Sequence, residues 1–329
     1  MELSGGLLIK LANSSVPMPF CAVPMRLFFL ALVMMVNLLK ADSFVIAHRG
    51  SSGERPEHTL AAYRLALEQA ADYIEPDLRS TKDGVFIALH DATLNRTTDV
   101  ALHPEFAERA TLDKKGQKIW MPKDFLLSEI RVLRTRQGTQ GRTDQFDGKE
   151  GIPTLEEVVN LVRGWNRAHN ARVGLMPELR GDADAFIEFA QKHHLTDEDS
   201  LPVYLQSFEE STLKKAREKL GLPGAILMGK SPRVEKLSQL KDVFTAVAVG
   251  KDDCLRPESS AWISEAHRLG LKVIAWTFDD ARFDRNRFQS GVDEMRFAFE
   301  NGVDGVFTDF PASGASARAA VASKREVSK

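Results

Sequence analysis

Along most of the chain, short apolar runs alternate with stretches in which apolar positions recur at helical spacing. Residues 44–47 (FVIA) form the first such run, and Leu60, Tyr63, Leu67 and Ala71 then fall on one face of a helix. Further β-type runs follow at 73–78, 85–89, 173–177, 203–206, 225–228, 244–249, 273–276 and 305–308. Between them lie helical stretches. The sequence Thr154-Leu155-Glu156-Glu157 is a capping box. It opens a helix with Leu155, Val158, Val159 and Val162 on its core-facing stripe. Residues 209–220 and 260–269 read as helices too, the latter closed by Gly270.

Strands alternating with helices predict a mainly parallel sheet, and eight of them close a TIM (β/α)8 barrel. The ninth run has a simple place. Six residues, 79–84, separate 73–78 from 85–89, too few for a crossover helix and suited to a hairpin turn. The expected fold is therefore an α/β barrel spanning 42–313, with an inserted segment of about 99–151 after the third run and a C-terminal tail, 314–329. A doubly wound open sheet is the alternative, weakened because no G-x-G-x-x-G or Walker motif follows any strand. The insertion contains a weak helical piece, 125–133, and a Gly-rich stretch, 137–151. It is either a cover for a site or a bland surface excursion.

Of the 329 residues, 43% are hydrophobic and 27% charged, an ordinary globular balance that excludes a disordered tail or a fibre. The formal charge of −2 argues against a nucleic-acid binder. That figure mixes two materials. An apolar run of 13 residues, 27–39, follows Arg26. It is too short for a membrane span, which takes about 20 residues, but suits the core of a secretory signal with Ala41 at the cleavage site. Residues 1–41 are thus expected to be an export leader with its start at Met25, giving a periplasmic or secreted protein; an uncleaved anchor or buried N-terminal helix is the alternative. Without Glu2, Lys10, Arg26 and Lys40 the mature chain has 41 basic and 45 acidic residues. It keeps only Cys254, which excludes an internal disulfide and any cysteine-based metal site.

The candidate chemistry gathers at strand ends. The first run ends in His48-Arg49-Gly50, the second carries Glu75-Pro76-Asp77 with both carboxylates on one face, and the third ends in His90-Asp91. Pairing the hairpin about Asp83-Gly84 brings Asp77 near His90. The run at 173–177 leads into Glu178, with Arg180 two residues on. Three carboxylates suit a hard divalent cation, Ca²⁺ or Mg²⁺. Arg49 and Arg180 offer guanidinium forks matched to phosphate, and two imidazoles supply a proton acceptor and a donor. Singly, each element is weak: a strand-end histidine is often structural, and Glu75 with Asp77 is also a solvated face or a glycosidase-like pair. Their joint appearance at consecutive strand ends favours the catalytic reading.

These residues resemble the glycerophosphodiester phosphodiesterases. The resemblance runs in order through His48-Arg49-Gly50, Arg55-Pro56-Glu57-His58-Thr59-Leu60, Ile74-Glu75-Pro76-Asp77, Thr81-Lys82-Asp83-Gly84, His90-Asp91, Leu94 and Arg96-Thr97-Thr98. It continues through Pro153-Thr154-Leu155-Glu156-Glu157, Pro177-Glu178, Gln206-Ser207-Phe208, Trp276-Thr277 and the run Gly305-Val306-Phe307-Thr308-Asp309-Phe310-Pro311. Pro56-Glu57-His58-Thr59 and the long insertion look most like the family's periplasmic branch. The resemblance implies a TIM-barrel hydrolase that splits glycerophosphodiesters such as glycerophosphocholine or glycerophosphoethanolamine into glycerol 3-phosphate and an alcohol. It implies Glu75, Asp77 and Glu178 as ligands of one divalent cation, His48 and His90 as the acid/base pair, and Arg49 on the phosphate. Arg180 stands where the family usually has lysine; the charge survives, but a guanidinium is a poor proton donor. Phe208 and Trp276 are either an apolar wall for the glycerol moiety or ordinary barrel packing.

A phospholipase-type relative needs an exposed apolar rim, which the mostly polar insertion disfavours. A phosphate-binding receptor need not keep both histidines. Among the other histidines, His58 is expected to be structural near the site, and His103, His169, His193, His194 and His267 to lie at the surface. Asp309 is expected mainly as the cap of the following turn.

Overall fold

The protein is described by a computed structural model, covering residues 43–327 apart from Glu198. The expected leader, 1–41, lies outside them. No helix among the described residues is long and apolar enough to cross a membrane.

Strands are numbered in chain order: β1 (Phe44–His48), β2 (Tyr73–Glu75), β3 (Leu78–Ser80), β4 (Phe86–Ala88), β5 (Thr111–Leu112), β6 (Lys118–Ile119), β7 (Gly174–Leu175), β8 (Leu205–Ser207), β9 (Gly224–Met228), β10 (Ala246–Gly250), β11 (Lys272–Phe278) and β12 (Gly305–Thr308). Eight form one parallel sheet in the order β7-β2-β1-β12-β11-β10-β9-β8. The two ends of this order meet. Leu175 bridges Val203 and Glu178 bridges Gln206, both parallel, with Tyr204 N donating to Leu175 O at 2.9 Å and Leu179 N to Gln206 O at 2.8 Å. The sheet is therefore rolled into the expected TIM barrel.

Alternation with a period of two divides each strand between two cores. On β1, Val45 and Ala47 face the outer core between sheet and helices, while Ile46 faces the barrel interior. On β10, Val247 and Val249 point outward and Ala246 and Ala248 inward. The interior is filled by Met176, Tyr204, Leu227, Ile274 and Phe307 around those small alanines. The helices follow the sequence pattern. Thr154 Oγ1 accepts from Glu157 N at 3.2 Å, Glu157 Oε2 accepts from Thr154 N at 2.8 Å, and the helix Leu155–His169 buries its valine stripe.

Two expectations change. The run 73–78 is not one strand: its ladder to β1 ends at Glu75, Pro76 has no N–H to donate, and after Asp77, which still bridges Glu178, the chain resumes as β3. It is β3 that pairs antiparallel with β4, Leu78 opposite Ala88 and Ser80 opposite Phe86. The helix expected at 125–133 is only Leu127–Ile130. Its apolar residues instead build a separate small core in which Phe106, Trp120, Phe125, Ile130 and Leu133 pack on Ile87, Leu89 and Ile152. At the other end, Pro311–Val327 is a helix with Ala317 and Val321 buried.

Candidate active site

The same parity that fills the barrel also aims its chemistry. His48 follows inward Ile46, Glu178 follows Met176, Gln206 follows Tyr204 and Trp276 follows Ile274, each two residues on and at the C-terminal end of its strand. His48 and Glu75 are direct register partners. These side chains, with Arg49, His90, Arg180, Phe208, Leu227, Thr277 and Phe307, line a cavity of about 490 Å³.

The first strand turns sharply to make this possible. Arg49 has φ 58° and Gly50 φ 84°. A Cβ on Gly50 would lie 2.7 Å from the Ala62 carbonyl carbon, so glycine is required there. The left-handed Arg49, at a cost of about 1–2 kcal/mol, aims its N–H at Glu75 Oε2, 2.8 Å away. Its guanidinium donates to Glu57 at 3.0 Å and lies 3.5 Å from Asp77.

Glu75, Asp77 and Glu178 are buried, and ligand oxygens from all three lie within 4.8 Å of one another. Burial pushes the Glu75 carboxyl well above the usual carboxylate range, and Asp77 and Glu178 push it the same way. Glu178 is raised to about 8, first by burial and then by Asp77. Burial would raise Asp77 as well, but the hydrogen bond from His58 and the charges of Arg49 and Arg180 hold it well below the usual range. Burial lowers the pKa of His58, whose Nε2 lies 2.9 Å from Asp77 and whose Nδ1 lies 2.7 Å from Tyr63 Oη. Two carboxyls that resist ionising, in an all-oxygen donor set, are what a hard divalent cation compensates. The residues therefore fit such an ion. Arg180 reaches into the same cluster, its Nη2 2.7 Å from Asp77 and 2.8 Å from Glu178.

Both histidines are held at Nδ1 by a carboxylate. His48 Nδ1 lies 2.6 Å from Asp309, and His90 Nδ1 lies 2.7 Å from Asp91. In its neutral form, a ring whose Nδ1–H is taken has Nε2 as the acceptor on its other edge. Asp309 thus orders His48, correcting the expectation of a turn cap; 261 residues separate the pair, and no local pattern signals it. Behind Asp91 stands Arg96, whose Nε donates to it at 2.6 Å and whose two terminal nitrogens grip Glu57 at 2.7 Å each. Behind Asp309 stands Arg142, from the Gly-rich part of the insertion.

Burial would raise Glu57, but Arg96 and then Arg49 hold it down at about 2. Against an unfolded value of about 4.3, that depression stabilises the fold by about 3 kcal/mol above pH 4.3. The contribution is lost as pH falls toward 2. Glu57→Gln is expected to lower urea-unfolding stability by about this amount at pH 7, with the gap to wild type closing below pH 4. A gap that stays constant from pH 7 to pH 3 contradicts it.

Beside the cavity, four buried polar atoms make no hydrogen bond to the described residues: Arg49 Nε, which is ion-paired to Asp77, Arg180 Nε, Trp276 Nε1 and Gln206 Oε1. Three of them are donors. Phe208 is 52% exposed and meets Trp276 edge to face, centroids 5.8 Å apart, so both aromatic rings border the open cavity.

Residues 48–313 match the sequence profile of the glycerophosphoryl diester phosphodiesterase family. A glycerophosphodiester phosphodiesterase of Arabidopsis thaliana is 30% identical, over 82% of this chain and 84% of the relative. One from Bacillus subtilis is 30% identical over 84% of this chain and 86% of its own. Among solved structures, a phosphodiesterase of Oleispira antarctica in complex with the product sn-glycerol-3-phosphate superposes with a TM-score of 0.62 at 24% identity, over 83% of this chain and 96% of its own. A glycerophosphoryl diester phosphodiesterase of Silicibacter pomeroyi gives 0.64 at 21% identity, over 85% and 94%. With this barrel, its buried carboxylate cluster and a profile match across nearly all of the described fold, the chain belongs to the glycerophosphoryl diester phosphodiesterase family of enzymes.

Proposed function

We propose that the protein hydrolyses glycerophosphodiesters, glycerophosphocholine and glycerophosphoethanolamine among them, to glycerol 3-phosphate and an alcohol. Glu75, Asp77 and Glu178 would hold one divalent cation, Ca²⁺ or Mg²⁺. The observation that carries this reading is the meeting, in one cavity, of two imidazoles anchored at Nδ1 with Glu75, Glu178 and two guanidinium groups, beside the third buried carboxylate, Asp77. The Oleispira relative, with sn-glycerol-3-phosphate bound, supports the product class.

Bound there, the cation would supply charge stabilisation at a phosphoryl or hydroxyl oxygen. The protein groups do the rest. Arg49 and Arg180, which line the cavity, supply guanidinium charge to phosphate oxygens. One imidazole Nε2 takes the proton from the oxygen attacking phosphorus; the other, protonated, gives one to the departing alkoxide as the P–O bond breaks. Phe208 and Trp276 flank the glycerol unit with apolar surface.

A coupled glycerol 3-phosphate assay over several headgroups tests this reading. Release is expected, stopping with a chelator and returning with added Ca²⁺ or Mg²⁺. No release from any diester with either ion sinks it. We further propose that the enzyme is exported, on the strength of the 27–39 apolar run. N-terminal sequencing of the same mature preparation should begin near Asp42.

A further inference from the structure

We propose that Arg142, delivered by the inserted segment, is a positioning residue for His48 that acts through Asp309. The inference rests on the reading of His48 as a reacting histidine.

Arg142 is nearly sealed from solvent, with 9% of its side chain exposed, although it belongs to an insertion whose sequence is mostly polar. Its guanidinium makes three contacts. Nη1 donates to Ser52 O at 2.9 Å, and Nη2 is shared between Asp279 Oδ2, at 3.0 Å, and Asp309 Oδ2. The other oxygen of Asp309, Oδ1, lies 2.6 Å from His48 Nδ1 and 3.0 Å from Ser52 Oγ. The two oxygens of Asp309 are thus divided, one for the histidine and one for the arginine. An aspartate side chain has two torsions, so pinning Oδ2 fixes where Oδ1 points.

Charge makes the arginine necessary rather than decorative. Asp279 and Asp309 are both buried and converge on one nitrogen. Without a cation between them, two such carboxylates repel and turn apart. The bond from Asp309 to His48 would loosen with that movement, and the imidazole would no longer be confined to the tautomer with Nε2 bare. The segment that brings Arg142 is itself tied to the same loop: Gln137 Nε2 lies 3.4 Å from Ser52 O and from Arg55 O, and the Arg55 guanidinium sits 3.8 Å over the Phe146 ring.

The test compares wild type, Arg142→Ala, Arg142→Lys and His48→Ala at saturating cation. Arg142→Ala is expected to lower kcat about ten- to a hundredfold, with KM within about twofold. Arg142→Lys should recover part of the loss, since an ammonium reaches the carboxylates without the fork. In ¹⁵N-histidine NMR, the signals missing from His48→Ala identify His48. These should show a protonated Nδ1 and a bare Nε2 in wild type, and a tautomer mixture in Arg142→Ala. If the alanine variant does not fold, Arg142→Gln is read by the same two measures. Wild-type kcat, or a loss of kcat with the His48 tautomer unchanged, overturns the inference. If His48→Ala itself turns over normally, the reading of the site fails and this inference with it. An inactive His48→Ala beside a normal Arg142→Ala removes only the role of Arg142.

Discussion

Replacing Glu75 with glutamine is expected to lower turnover by about a thousandfold or more while making the cation-free protein more stable. The two effects have one cause. Glu75 is buried, accepts from Arg49 N at 2.8 Å and from Gln206 Nε2 at 3.0 Å, and faces Asp77 and Glu178. A glutamine has nearly the same shape; its one oxygen keeps the bond from Arg49 N, and its NH2 can donate to the unpartnered Gln206 Oε1 once that amide turns over, at the loss of the Gln206 bond to Met176 O. Glutamine does not carry the negative charge that burial and its neighbours disfavour, so the fold relaxes. For the proposed reaction that charge is the point, since three carboxylates set the attraction for a divalent ion. Thermal unfolding with and without Ca²⁺ or Mg²⁺ separates the effects: wild type should gain melting temperature on adding the ion, and Glu75→Gln should start higher and respond weakly. A variant that is less stable than wild type without cation, or that responds normally to it, contradicts the assignment of Glu75.

Alanine at His48 or at His90 should each reduce kcat by about 10²–10⁴-fold with little change in KM. The rings differ in setting. His48 is the more enclosed, locked by a buried Asp309, whereas the His90–Asp91 pair is more open. If they serve one proton in and one proton out, the double variant should be little worse than the worse single one, because the residues act as a unit. Losses that multiply would instead mean that each ring helps independently, and a single variant with ordinary kcat would remove that ring from the chemistry. Steady-state kinetics on glycerophosphocholine, with circular dichroism to confirm folding, decides among these outcomes.

What the sequence made legible follows from periodicity. A period of two carries Ile46 to His48, Met176 to Glu178 and Ile274 to Trp276, so strand ends and the site residues on them could be read together. The hairpin turn was legible because six residues leave no room for a helix; that its first strand begins only at Leu78, after the break at Pro76, was less so. The pairings of Asp309 with His48 and of Arg142 with Asp309 stayed out of sight for another reason. They are side-chain hydrogen bonds between loops, which have no repeat in the chain, and Arg142 reaches Asp309 across 167 residues from a stretch whose composition reads as surface. The insertion looked polar because its apolar residues are spaced irregularly; folded, they make a core of their own.

The join at which the sheet closes has one further consequence. Glu178 bridges Asp77 on one side and Gln206 on the other, so the backbone that supplies the third carboxylate is also the last stave of the barrel. Gln206, across that join, holds Glu75 Oε1 at 3.0 Å and Met176 O at 3.1 Å. The residue that helps seal the cylinder thus also clamps the acidic cluster. Whatever neutralises the three carboxylates then acts as a keystone, strengthening a ring that isolated bridges close at that place.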